Sequence, residues 1–209
     1  MEEPLTIRVP GGPALEARLA PVTAPKGGFV ICHPHPLYGG DMDNPVVIRA
    51  AEVTQASGHA TLRFNFRGAG ASGGIHDQGR GEQDDVRAAM ASLAARLPAK
   101  TPIGVIGYSF GAAMAARATR PDVPDAPLGL IAPPLVMFDF DFLQTSPGRL
   151  LLVAGTADTY CPVEALHRLA ALTSAEERLI EGADHFFFGK LYPLGEAIGA
   201  WMAEAPPGP

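Results

Sequence analysis

Cysteine is nearly absent from this 209-residue chain, which carries only Cys32 and Cys161. Two thiols far apart in sequence, neither in a C-x-x-C pair, build no disulfide framework; free thiols in a reducing compartment are expected. Cations are sparse as well: 16 Lys and Arg stand against 22 Asp and Glu, a formal net charge of −6. The cations are scattered, so no basic field gathers a polyanion, and nucleic acid is not an expected partner. Long apolar runs are missing too. Leu128 to Met137 is interrupted by proline and far too short to span a bilayer, so no membrane association is expected. Met1-Glu2-Glu3-Pro4 is acidic and lacks the apolar region of a signal peptide, from which a cytoplasmic location is expected.

The composition is 47% hydrophobic and 18% charged, ordinary for a globular protein. The simplest organisation is one domain over residues 1–204 with a large core, then a tail, Ala205-Pro206-Pro207-Gly208-Pro209, that should be disordered. Nothing in the composition speaks to oligomeric state. Two short antiparallel strands are expected at Leu5–Val9 and Ala14–Ala20, joined through Pro10-Gly11-Gly12-Pro13. Strands then alternate with helices. The strands fall at Gly28–Cys32, Ala60–Asn65, Ile103–Ile106, Leu128–Ile131, Arg149–Ala154 and Glu177–Ile180. Helices are expected at Val46–Ser57, Gly81–Leu97, Phe110–Arg120, Pro162–Leu172 and Leu191–Ala203. In the second of these Val86, Met90, Leu93 and Leu97 share a face, and Glu82, Asp84 and Asp85 crowd its first turn. Carboxylates there suit the positive end of the helix dipole, a simpler account than catalytic acids. The alternation implies an α/β fold: a largely parallel sheet covered by helices on both faces, with its site at the carboxyl ends of the strands.

Gly107-Tyr108-Ser109-Phe110-Gly111 lies on such a strand-to-helix turn. A serine there is held in strained backbone geometry that exposes its hydroxyl, and Cβ atoms two residues either side would collide in the turn. A serine hydroxyl is a poor nucleophile unless a base takes its proton, and that base is usually a histidine oriented by a carboxylate. On this architecture the order is Ser, Asp or Glu, then His. His185 follows the last strand and fits; His167 sits mid-helix, His59 lies at the wrong edge of the sheet, and His76 is in a glycine-rich loop. Asp158, past the strand Arg149–Ala154, fits best as the carboxylate. Asp184 is the rival, although its neighbour His185 would diverge from it, and Asp139 and Asp141 are further alternatives. One oxyanion donor is expected from the N–H of Phe110, after the nucleophile. The other should come from His33-Pro34-His35-Pro36-Leu37-Tyr38-Gly39-Gly40, where the prolines have no N–H: His35 first, Leu37 second. His33 and His35 with Asp41 and Asp43 could also suggest a metal. Yet histidines at i, i+2 on extended chain point to opposite faces, so no metal and no other cofactor is expected.

These segments together resemble the α/β-hydrolase superfamily. The chain is most similar to its small, capless serine hydrolases with a His-Pro-His-Pro-Leu-x-Gly-Gly loop, relatives of the dienelactone hydrolases. The likeness runs from about Gly28 to His185 and beyond. It rests on His33–Gly40, on Asn65-Phe66-Arg67-Gly68-x-Gly70-x-Ser72-x-Gly74, on Gly81-Glu82-x-Asp84-Asp85, on Gly107–Gly111, on Asp158 and on Asp184-His185-Phe186-Phe187. Dienelactone hydrolases proper use a cysteine nucleophile, whereas Ser109 stands here, which implies ordinary esterase chemistry. The resemblance implies Ser109, Asp158 and His185 as the triad of a serine hydrolase. Its substrate would be a small-molecule carboxylic ester of short to medium acyl length, with an acyl thioester or a non-catalytic binding role as alternatives. Leu37, Tyr38 and Phe186 flank the expected site and are candidate substrate contacts. Only about seventeen residues separate Ile131 from Arg149, too few for a lid domain. Within them Phe138, Phe140 and Phe142 alternate with Asp139 and Asp141; an extended chain would turn the three rings to one side, into the core or along an acyl pocket.

Overall fold

A computed structural model describes residues 2–120, 122–145 and 148–204. The tail expected to be disordered, 205–209, lies outside the described residues. One eight-stranded sheet runs through the molecule: β1 (Glu3–Arg8), β2 (Ala14–Ala20), β3 (Gly28–Cys32), β4 (Ala60–Phe64), β5 (Ile103–Tyr108), β6 (Leu128–Ile131), β7 (Leu150–Gly155) and β8 (Glu176–Ile180). Its spatial order is β1-β2-β4-β3-β5-β6-β7-β8. β1 pairs with β2, and β2 with β4, in antiparallel fashion; every other pairing is parallel. The helices are α1 (Pro45–Ala56), α2 (Gly81–Ala94), α3 (Phe110–Thr119), α4 (Val163–Thr173) and α5 (Leu191–Ala203). Expected and observed bounds agree closely. α2 stops three residues before Leu97, because the chain tightens into turns at Arg96 and Leu97.

The central strands are buried on both faces, so their residues alternate between two cores. Val30 and Cys32 of β3 and Leu150, Leu152 and Ala154 of β7 meet α2, α3 and α4 on one face. Phe29 and Ile31 of β3, with Leu151 and Val153 of β7, meet α1 and α5 on the other. Adjacent strands β3 and β5 therefore send their helices, α1 and α3, to opposite sides of the sheet. The loops leaving them diverge and open a crevice at their carboxyl ends, where such sheets bind ligands.

Local chemistry fixes those exits. α1 starts where Asn44 accepts the Val46 N–H at 2.9 Å with Pro45 at the first helical position. Between them, the loop after β3 forms a short 3-10 turn at Pro36–Tyr38. The segment between β6 and β7 is not extended: a turn leads into the 3-10 helix Asp141–Thr145. Its three phenylalanines therefore go separate ways. Phe138 faces the crevice, Phe140 enters the core and Phe142 stacks on Phe140 from outside. Period two fails there because the chain turns after each proline-stiffened step, as the Met137 and Phe138 N–H bonds to Pro134 O record.

Candidate active site

β5 ends at Tyr108, and the next residue turns the chain into α3. Ser109 holds φ 55° and ψ −118°, a backbone state that costs a non-glycine residue about 1–3 kcal/mol. The flanking glycines are needed because backbone crowds the turn. A Cβ at Gly107 would lie 2.3 Å from Gly111 O, and one at Gly111 would lie 2.5 Å from both Cys32 O and His33 O. The second clash brings α3 against the end of β3 and sets Ser109 beside the His33–Gly40 loop.

Ser109 Oγ lies 2.9 Å from His185 Nε2. On the other side of the ring, His185 Nδ1 lies 2.8 Å from Asp158 Oδ2. Asp158 has no exposed side-chain surface, and its other oxygen accepts the N–H groups of Tyr160 (2.8 Å) and Cys161 (3.0 Å). A carboxylate held this way is acceptor only, so it puts the imidazole proton on Nδ1 and leaves the Nε2 lone pair for the serine. Such a ring can take the serine proton. Asp184 is committed elsewhere: its Oδ1 accepts from Phe186 N and Phe188 N and caps the turn after β8. Asp139 accepts from Asp141 N within its own loop.

A buried hydroxyl beneath the histidine was not foreseen from sequence. Tyr108 Oη donates to the His185 carbonyl at 2.9 Å and ties β5 to the loop after β8. Burial, then the nearby Asp158 and Asp184 charges, push its phenol well above the ordinary range, so it stays a donor. The same burial raises both thiols, Cys32 and Cys161, and leaves them unreactive.

The loop after β3 supplies three histidine-linked contacts. His33 is buried; its Nε2 accepts the Phe66 N–H at 2.9 Å while Nδ1 lies 2.6 Å from Pro34 O. Burial lowers its pKa to about 4, which the Pro34 bond only partly opposes. Both nitrogens are taken, and among the described residues no group of three or more His, Cys, Asp or Glu could hold a metal ion. His35 lines the crevice, and its Nδ1 accepts the Leu37 N–H at 3.2 Å. Leu37 is 68% exposed and is not among the residues lining the crevice. Its N–H already has a partner and its side chain points out of a tight turn.

The crevice is a cavity of about 460 Å³. Ser109, Phe110, His35, Tyr38, His185 and Phe186 all line it, so the other expected site residues come together. Phe138, Met137 and Tyr160 extend an apolar and aromatic wall, and among the described residues no Lys, Arg, Asp or Glu lines the space. Among the described residues no helix is long and apolar enough to cross a membrane.

Three of the acidic and histidine residues near the crevice have roles the sequence did not convey. Glu82 has no exposed side-chain surface; it accepts the N–H groups of Asp77 (2.6 Å) and Gly79 (2.8 Å), and His76 Nδ1 lies 2.9 Å away. That last contact is close but not aligned as a hydrogen bond. Asp85 is likewise buried and binds the Arg67 guanidinium at 2.7 Å. The helix dipole thus explains little of Glu82 and Asp85: they anchor the loop between β4 and α2.

The family profile for the alpha/beta hydrolase fold matches residues 29–126. An uncharacterized protein of Rickettsia prowazekii is 33% identical over 90% of this chain and 84% of its own length. Solved structures are similar over almost the whole chain. An alpha-beta serine hydrolase homologue from Coxiella burnetii is 34% identical, with a TM-score of 0.87 over 95% of this chain and 96% of that one. A lidless serine hydrolase from Xanthomonas campestris is 30% identical, also at a TM-score of 0.87, over 100% of this chain and 96% of its own.

Proposed function

This chain belongs to the alpha/beta hydrolase family, and from that premise we propose that it is a serine carboxylesterase acting through an acyl-enzyme on Ser109. The observation that carries the reading is the unbroken run of contacts from Ser109 Oγ (2.9 Å) through His185 to Asp158 (2.8 Å). In the proposed reaction His185 Nε2 accepts the serine proton as Oγ attacks the ester carbonyl. Asp158 stabilises the imidazolium, which then protonates the departing alcohol. Water, deprotonated by the same nitrogen, attacks the acyl-enzyme and releases the acid.

The N–H groups of Phe110 and His35 are the proposed oxyanion donors. His35 is favoured over Leu37 because the Leu37 N–H is already spent on His35 Nδ1. The apolar, uncharged wall of the 460 Å³ cavity suits a short to medium, uncharged acyl ester. An acyl thioester could use the same machinery, but a phosphate-bearing carrier finds no cation among the lining residues.

A fluorophosphonate probe tests the reading. Wild type should label on Ser109 and lose its hydrolysis of p-nitrophenyl acetate, and Ser109→Ala should do neither. Failure of native wild type to label, or equal labelling of Ser109→Ala, would make the fold a binding scaffold instead.

A further inference from the structure

One side chain touches both residues whose backbone N–H groups are the proposed oxyanion donors. The His76 ring centroid is 4.7 Å from that of His35 and 5.5 Å from that of Phe110. His35 and Phe110 also meet each other at 4.8 Å, so the three rings form a closed triangle at one wall of the cavity. Tyr38 packs on the far side of His35 at 4.8 Å. The three main rings come from different places in the chain: the loop after β3, the start of α3, and the loop between β4 and α2.

A backbone donor must sit within about 0.5 Å of its productive place, and loops achieve this only when side chains lock them. His35 is locked twice. Its Nδ1 holds the Leu37 N–H, which fixes the 3-10 turn, and its ring is wedged between His76 and Tyr38. Burial, with His76 beside it, lowers the His35 pKa against the opposing pull of Glu82. Nδ1 thus stays free to accept at neutral pH. His76 in turn needs an anchor, since it comes from a glycine-rich loop. Glu82 is that anchor: fully buried, bonded to two N–H groups of the same loop, and 2.9 Å from His76 Nδ1.

We propose that Glu82 and His76 are a positioning pair for the oxyanion hole, the carboxylate fixing a histidine whose ring spaces the Phe110 and His35 donors. The proposal rests on the reading of Ser109 as nucleophile and of those two N–H groups as its oxyanion donors. It makes His76 a positioning residue, with no contact to the reacting atoms.

The test is His76→Ala and His76→Phe in the full chain, read by ester kinetics and by fluorophosphonate labelling. Removing a whole oxyanion donor costs about 100- to 1,000-fold; a displaced one should cost less, so His76→Ala is expected to lower kcat about tenfold with KM within about twofold. Its labelling should slow by a similar factor yet still reach one label per chain. His76→Phe keeps a ring between His35 and Phe110 and should recover most of the rate. His76→Asn, which offers Glu82 an N–H but no ring, should lose rate like alanine; it replaces the alanine variant if that one folds poorly. Wild-type kcat in His76→Ala overturns the proposal, and so does a loss accounted for by fewer labelled chains at endpoint, which would be a folding effect. If wild type itself is never labelled at Ser109, the reading of the nucleophile falls first and this proposal falls with it.

Discussion

Two imidazole–carboxylate pairs stand on opposite sides of Ser109 along the sheet, and they are built alike. Asp158 and Glu82 both have fully buried side chains, and their histidines, His185 and His76, are 10% and 9% exposed. Each carboxylate accepts two backbone N–H groups from its own loop and meets an imidazole Nδ1 at 2.8 or 2.9 Å. They differ at the contact itself, a hydrogen bond for His185 and Asp158 but not for His76 and Glu82, and again beyond the ring. His185 turns Nε2 to a hydroxyl 2.9 Å away, whereas His76 presents its ring to His35 and Phe110. A buried carboxylate–histidine unit is thus a way of holding a ring in place. Whether the ring acts as a base or as a spacer depends on what its free side meets.

The largest effect that could break this comparison is on the carboxylates. Asp158→Asn would offer an amide N–H to His185 and favour the wrong tautomer, so kcat/KM should fall about 1,000- to 10,000-fold with little loss of fold. Glu82 spends one oxygen on each of the Asp77 and Gly79 N–H groups, so Glu82→Gln turns an amide N–H towards one of those donors as well as altering the contact with His76, and about a tenfold loss is expected in kcat. Both are measured on one ester with active sites counted by fluorophosphonate endpoint. Equal losses would mean that the two pairs do the same job, and the distinction drawn above would be lost.

A third histidine sharpens the contrast on stability. His33 has no carboxylate, and its two nitrogens are consumed by Phe66 N and Pro34 O. The unfolded chain takes up a proton near pH 6.5, but the folded one resists until about 4. More protons are then bound by the unfolded state between those values, so stability is whole above about pH 6.5 and falls as pH drops towards 4. The shift corresponds to about 3 kcal/mol. Denaturant titrations of wild type and His33→Gln from pH 7 to 4.5 isolate it, since other titrating groups cancel in the difference. A pH slope no steeper in wild type than in the variant would sink the assignment.

How much of this was legible beforehand follows the same divide. The strands declare themselves by short β-branched runs, and Ser109, Asp158 and His185 by their order and their places after strands. Those signals are local, and they locate the principal contacts of the site. The Glu82–His76 pair carries no local signal: its meaning depends on a loop folding back over β3 and α3, which spacing does not encode. Tyr108 reads as an apolar strand residue until its hydroxyl is seen under His185. Adjacency alone suggests Leu37 for the site, whereas the three-residue turn leaves it exposed and outside the crevice lining. Phe138, Phe140 and Phe142 misled because period two presumes an extended chain.

The smallest expected effect on turnover separates rate from selection across the same cavity. Phe138 stands on the loop after β6, with its ring 6.4 Å from Phe110 and the Arg117 guanidinium 5.1 Å over its centroid. That cation holds the ring as a fixed wall, since an arginine stacked on an aromatic face restrains both. Phe138→Ala would therefore deepen the cavity without touching either imidazole pair. Each methylene newly accommodated is worth about 0.8 kcal/mol, roughly fourfold, so the preference for hexanoate over acetate should rise about tenfold or more while acetate turnover changes little. His76→Ala, by contrast, should slow every chain length alike, because displaced oxyanion donors act on the carbonyl common to all. A p-nitrophenyl ester series from acetate to octanoate on both variants reads the two effects together. If Phe138→Ala slows all esters equally, or His76→Ala changes the length preference, the walls of the cavity are not divided between selecting the acyl group and holding the donors.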